Sequence, residues 1–268
     1  LHVRSRRQRQ MCIRDRLATF GYSEVEVYKK PVVGVLSTGS ELLDVGEELV
    51  RGKIRNSNTP MILAQLKRSG IEGKRYHMQS DDLDTLHDNI KQMLEEVDMI
   101  ITTGGVSVGD YDLLPKIYDK LGAEVLFNKV AMRPGSVTTV SRLGSKFLFG
   151  LSGNPSACYS GFELFVRPAV QAMMASEHVH APFIDATLDE DFTKPNPFTR
   201  FIRAEVQYIN GEVYAKPAGF NKSNAVTSIA KSNGVIVMPG GTRGFEKGDT
   251  VKVMMTDVTS GADRFGVE

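Results

Sequence analysis

From residue 31 onward, short continuous apolar runs alternate with segments whose apolar residues recur every three or four positions. Pro31 opens a run at Val32–Ser37 with the continuity of a buried strand, and Asn56-Ser57-Asn58 introduces a helix with Met61, Ile62, Leu63 and Leu66 on its inner side, closed by Gly70. A second strand is predicted over about 73–79. A helix marked by Leu83, Leu86, Ile90, Met93 and Leu94 follows it, then a third strand at 98–102. Leu113, Leu114, Ile117, Tyr118 and Leu121 have the spacing of another helix, and a fourth strand is expected at 124–130. Residues 137–141 and 146–151 read as a hairpin about Leu143-Gly144-Ser145, ahead of a helix through 157–174. This alternation over about 140 residues predicts a three-layer α/β fold with a mainly parallel sheet.

After His178–Pro182 the pattern changes. Residues 185–189, 201–209, 213–217, 234–238 and 250–255 alternate or are rich in β-formers, and Asn210-Gly211 is a strong hairpin-turn signal. A small all-β module of roughly 75 residues is expected here. Arg200 and Arg203 fall on one of its strands. Both an anion contact and an exposed position suit them, and exposure is the simpler expectation.

In the α/β part, four polar clusters each follow the carboxyl end of a predicted strand: Thr38-Gly39-Ser40-Glu41, Ser80-Asp81-Asp82, Gly104–Asp112 and Ser152-Gly153-Asn154-Pro155-Ser156. In open α/β sheets ligands bind at that edge, so the four clusters are expected to converge on one crevice. Singly, each has a structural reading: Ser80, Asp81 and Asp82 are good helix caps, Glu41 suits a plain surface, and Asn-Pro is a common helix start.

The richest cluster is TTGGVSVGDYD at 102–112, a glycine-rich turn between a strand and a helix. Unpaired N–H groups and the positive dipole end of a helix make such a turn an anion cradle. Asp110 and Asp112 beside it suggest a bound magnesium ion, although Asp112 also suits a helix cap with Pro115 in the first turn. Gly105-Val106-Ser107-Val108-Gly109 also fits the G-x-S-x-G nucleophile elbow, but only His178 and His180 follow to complete a triad, and both lie in the expected interdomain hinge. The phosphate reading is therefore preferred.

Composition narrows the function classes. No apolar run among the 268 residues approaches the roughly 18 needed to span a membrane. Two cysteines, Cys12 and Cys158, form no disulfide framework and suit a reducing cytoplasm, and five scattered histidines give no zinc pattern. The net charge of +1 is deceptive, because residues 1–16 hold six arginines and one aspartate; without them the chain carries 27 basic and 31 acidic residues. That removes the electrostatic case for nucleic acid. Residues 1–16 are read as a lead foreign to the fold or disordered, and residues 17–30 as a linker.

Taken together, STGSEL at 37–42, SDD at 80–82, TTGGVSVGDYD at 102–112, RPG at 133–135 and SGNPSA at 152–157 resemble the molybdopterin molybdenumtransferase family (MoeA, and the gephyrin E domain in animals). The resemblance implies a molybdopterin-binding α/β domain at 31–178, a C-terminal β-barrel at 182–258 and a tail at 259–268. It implies magnesium-dependent insertion of molybdate into adenylylated molybdopterin with release of AMP, by a cytoplasmic protein that is a homodimer at full length, with no nucleic acid or membrane partner. By match, Glu41, Asp81 and Asp112 handle magnesium and adenylate, with Asp110 and Asp82 as second choices for the metal. Thr38, Gly39, Gly104, Gly105, Ser107 and Gly109 line the substrate cradle together with Ser152, Gly153 and Asn154, while Lys129 and Arg133 are cations for molybdate or phosphate and Pro155 shapes the site. The sequence departs from many members at Ser152, where they have proline, and at Ser136-Val137, where they have Lys-Pro; the second departure shifts anion recognition away from residue 136. The family also has two further N-terminal domains, which residues 1–30 cannot encode, so a truncated member is expected. The related adenylyltransferase shares the α/β domain, but the β-module argues against it, and no sequence feature demands a gephyrin-like scaffold.

Overall fold

The computed structural model describes residues 6–78, 83–104, 113–195, 197–219 and 226–256, and divides into two units, Leu1–Lys30 and Pro31–Glu268. The first unit holds helix α1 (Arg6–Thr19) followed by extended chain in which Phe20, Tyr22, Val27 and Tyr28 are exposed. A helix stands where an unstructured basic lead was one of the expectations. Arg, Gln, Met, Leu and Ala all rank high in helix propensity, which outweighs the charge bias of this segment.

The second unit begins with β1 (Val33–Thr38), a short excursion through β2 (Leu42–Leu43) and β3 (Ile54–Arg55), and helix α2 (Asn58–Arg68). Then come β4 (Gly73–Met78), α3 (Leu83–Glu96), β5 (Met99–Thr103), α4 (Leu113–Lys120), β6 (Glu124–Phe127) and β7 (Met132–Arg133). The hairpin β8 (Thr139–Leu143) and β9 (Lys146–Leu151) leads into α5 (Pro155–Gly161), which continues through a π-helical turn at Phe162–Val166 into α6 (Arg167–Met173). The six-stranded sheet has the order β4-β1-β5-β9-β8-β6, with β4, β1, β5 and β9 parallel and β8 and β6 each antiparallel to its neighbour. The expected mainly parallel sheet is present.

Strand alternation sorts the apolar residues onto two faces. Val33, Val35, Met99, Ile101, Phe149 and Leu151 pack against Ile62 and Leu66 of α2 and against Cys158, Phe162, Val166 and Val170 of the α5–α6 helix. Leu36, Ile100 and Leu148 face the other way, onto Leu86, Ile90 and Met93 of α3 and Ile117 and Tyr118 of α4. These two clusters make the three layers. The strand expected at 124–130 stops at Phe127, where a bulge breaks its register on the sheet edge, and the chain then crosses to supply β7 elsewhere.

The remaining elements are β10 (Phe183–Leu188), β11 (Thr199–Ile209), β12 (Glu212–Pro217), α7 (Val226–Lys231), β13 (Gly234–Met238) and β14 (Thr250–Met255). The β strands pair in the order β12-β10-β14-β13-β11, and β11 pairs again with β12, so the sheet closes as a five-stranded barrel. Asn210 (φ 52°) and Gly211 (φ 86°) turn the β11–β12 hairpin with two successive positive φ angles, as a type I′ turn requires. Ile202, Ala204, Val206, Ala215, Ile236, Val251 and Val253 fill the interior. The opposite side of the same strands carries Phe201, Val235 and Met254, which meet Tyr159, Met61 and Leu164 of the α/β layers. β7 adds to β11 in parallel, pairing Met132 with Thr199 and Arg133 with Arg200, so the α/β chain itself extends the barrel sheet.

Phe162 is fully enclosed between the sheet and its helices. Replacing it with Ala is expected to cost about 3–5 kcal/mol of unfolding free energy, read from the urea midpoint of the variant against the parent chain.

Candidate functional site

The carboxyl ends of three adjacent strands come together within backbone contact. The Gly104 N–H donates to Leu151 O at 3.3 Å, and Gly104 adopts φ 83° so close to β1 that a Cβ there would stand 2.9 Å from Thr38 O. A Cβ on Gly153 would lie 3.5 Å from the Cα of Gly104. Asn58, at the amino end of α2, donates from Nδ2 to Gly153 O at 2.9 Å, and its Oδ1 is buried without a partner. Below this rim, Asn56 Nδ2 donates to Ser37 Oγ (2.9 Å), which also lies 3.2 Å from His77 Nδ1 on β4. Small residues are required here because any side chain on Gly104 would push the strand ends apart.

Glu41 leaves β1 past Gly39 and folds back, so that a Cβ on Gly39 would fall 2.5 Å from its Oε2. The segment is anchored on its far side: Ile54 N–H donates to Glu41 O at 2.9 Å, and Asn56 N–H to Leu43 O at 2.8 Å. On the other flank, Asn154 caps α5 by accepting from Ser156 N–H at 3.1 Å, its own N–H donates to Ser152 Oγ at 3.2 Å, and Pro155 occupies the first turn, where its missing N–H is harmless.

Thr38, Gly39, Glu41, Gly104, Ser152, Gly153 and Asn154 therefore share one edge of the sheet, as expected. Asp81, Asp82, Gly105, Ser107, Gly109, Asp110 and Asp112 lie outside the described residues. Their segments are rooted at described ends: β4 stops at Met78 before α3 begins at Leu83, and β5 stops at Thr103 before α4 begins at Leu113, and these two strands flank β1.

Beside this rim, between the α/β layers and the barrel, opens a cavity of about 520 Å³ whose lining includes Arg133, Ser136, Asn154, Ser156, Phe192, Arg200, Phe201 and Arg203. Arg133 is supplied by β7, and Arg200 and Arg203 by β11. No carboxylate is among the described lining residues. Arg203 is only 2% exposed and donates from Nε to Ser228 Oγ at 2.7 Å; burial lowers its guanidinium pKa below the ordinary value. Arg200 lines the same cavity with its Nε buried and unpartnered. The expectation of exposed strand arginines is thus overturned. Residues 202, 204 and 206 face the barrel core, so Arg203 points outward, and that outer face is covered by the α/β layers instead of by water. Lys129, by contrast, is exposed and does not line the cavity. Asn58 is a site residue that the sequence reading missed, and for the two barrel arginines it weighed an anion contact but preferred exposure. Asn58 looked like a helix start, and the arginines have no local signal, since nothing in β11 announces what covers it.

Two family models match the chain, that for the probable molybdopterin binding domain at 34–172 and that for the MoeA C-terminal region (domain IV) at 185–255. The chain belongs to the MoeA family of molybdopterin molybdenumtransferases. It is 57% identical over 241 residues to the molybdopterin molybdenumtransferase of Staphylococcus aureus (strain COL), covering 90% of this chain and 58% of that protein. It is also 54% identical over 247 residues to that of Bacillus subtilis (strain 168), covering 92% of this chain and 57% of the relative. The chain thus spans under three-fifths of the length of these relatives. Among solved structures, a molybdopterin biosynthesis MoeA protein from Pyrococcus horikosii superposes with a TM-score of 0.76 at 26% identity, over 91% of this chain and 59% of that one. The matched MoeA regions coincide with the three-layer sheet and with the barrel.

Gly104→Ala is expected to lower the unfolding free energy by about 1–3 kcal/mol, because it combines a strained φ with a backbone clash against Thr38. Denaturant titration of the variant checks this, and an unchanged midpoint would mean that the three strand ends are not held as tightly as described.

Proposed function

We propose that the full-length protein acts in molybdenum cofactor biosynthesis, inserting molybdenum from molybdate into adenylylated molybdopterin with release of AMP. The observation that carries this reading is the juxtaposition of two chemically different subsites: a glycine-lined rim at the sheet edge and, beside it, a cavity whose lining includes three arginines. The first suits phosphates, whose oxygens take backbone N–H groups at close range. The second suits a compact oxyanion, since Arg presents a planar fork of donors that pairs with oxyanion edges. An enzyme that joins an oxyanion to a phosphate-bearing pterin needs both within one reach.

Magnesium is the ion that carboxylates at this rim would take. Glu41 offers hard carboxylate oxygen at the rim, and the segments carrying Asp81, Asp110 and Asp112 spring from the strands on either side of it. These residues would hold the ion, which when bound supplies charge neutralisation at the phosphoanhydride. Thr38, Gly39, Gly104, Gly153 and Asn154 position the phosphate-bearing part of the substrate. Arg133, Arg200 and Arg203 bind and orient the molybdate, and the burial of Arg203 and of Arg200 Nε strengthens the charge interaction. The barrel supports this reading over a molybdopterin adenylyltransferase. Exposed Val45, Leu49, Val50 and Ile54 on the excursion that bears Glu41 support a homodimer in which a second copy covers this rim at full length.

The test is AMP release from adenylylated molybdopterin by the full-length protein, which should require molybdate and magnesium together and stop on addition of EDTA. Asp112→Asn should slow this turnover more than ten-fold, a loss above roughly 1.4 kcal/mol of transition-state stabilisation. Formation of adenylylated pterin from molybdopterin and MgATP would instead identify an adenylyltransferase.

A further inference from the structure

We propose that Phe192 and Phe198 are positioning residues that hold the cavity's arginines by their ring faces. The inference rests on the oxyanion reading of the cavity given above. Arg200 Cζ lies 5.5 Å from the centre of the Phe192 ring, and Arg133 Cζ lies 5.4 Å from the centre of the Phe198 ring, both inside the range of a cation–π contact. The two arginines are direct register partners on β7 and β11. Like charges placed opposite each other on neighbouring strands repel, and a ring face beside each cation supplies negative quadrupole that offsets part of that repulsion.

The chemical consequence lies in what a ring face leaves unused. A carboxylate holding Arg133 or Arg200 would neutralise the cation and occupy its donor edge. A phenyl ring has no lone pair, takes none of the five N–H donors, and restrains the guanidinium by contact with its face. Phe192 itself lines the cavity together with Arg200, whose Nε is enclosed and unpartnered, so the guanidinium is oriented before a ligand arrives. Such preorganisation lowers the cost of ordering a long side chain on binding.

Isothermal titration of the protein with sodium tungstate, a tetrahedral oxyanion analogous to molybdate, tests the proposal. Phe192→Leu and Phe198→Leu keep apolar bulk but remove the ring, whereas Phe192→Tyr and Phe198→Tyr keep it. The Leu variants should bind tungstate about ten-fold more weakly, while the Tyr variants stay within about two-fold of the parent. Leu variants that bind as tightly as the parent would overturn the proposal, and so would Tyr variants as weak as the Leu ones, since packing alone would then explain the effect. If Phe192→Leu fails to fold, the half-buried Phe198 pair decides the matter. Absence of tungstate binding in the parent would sink the oxyanion reading of the cavity and this proposal with it, an outcome distinct from binding that ignores the rings.

Discussion

The structure depends on the burial of one side of β11 against something other than its own barrel. A closed five-stranded barrel fills its interior with one set of alternating residues and leaves the other set facing out. Around β11, β13 and β14 the outward set includes Phe201, Val235 and Met254, and these find cover on Tyr159, Met61 and Leu164. The backbone reinforces the side chains, because β7 leaves the α/β sheet and pairs with β11. Arg133 and the barrel arginines consequently belong to a single hydrogen-bonded sheet, and the cavity they line is built from both modules at once.

That joint sits next to the second constraint, the close approach of β1, β5 and β9 at their carboxyl ends. Parallel strands deliver all their exits to one side, so loops distant in sequence meet there without further instruction. Contact is kept by residues with little or no side chain: Gly104 under Thr38 O, and Gly153 over Gly104. Asn58 ties α2 into the same rim through Gly153 O. The α5–α6 helix leaves this rim at Asn154 and carries Tyr159 to the barrel, so one helix connects both constraints.

Much of the fold was legible because its signals are local. The runs at Val33–Thr38 and Met99–Thr103 are buried on both faces and read as continuous apolar strands, and Asn210-Gly211 announces its turn directly. The expected meeting of Thr38, Glu41, Gly104 and Gly153 rested on their places just past the carboxyl ends of parallel strands. What escaped was every feature set by contact between modules. The two-residue β7 is too short to leave a periodic signal, and β6 loses its last residues to that crossing. An arginine on the outer side of a barrel strand, such as Arg203, is indistinguishable from a solvated one until its covering layer is known. The π-helical turn at Phe162–Val166 has the same apolar spacing, within one residue, as the regular helix expected there.

Arg133 and Arg200 differ from three arginines elsewhere in the protein in what holds them, and the difference bears on what the cavity can bind. Arg68, Arg75 and Arg142 each pair with an acid: Glu163, Asp44 and Glu124 respectively. Arg133 and Arg200 instead meet aromatic rings, and Arg203 meets a serine hydroxyl. Burial of a cation is costly, as the depressed pKa of Arg203 indicates, and an acid introduced on β11 or β7 beside Arg133 or Arg200 would neutralise these cations in turn. Such an acid would also consume the donors on which any anion must dock. Neutral partners that orient the guanidinium groups without discharging them keep the positive potential of the cavity available to a ligand, at some expense of stability.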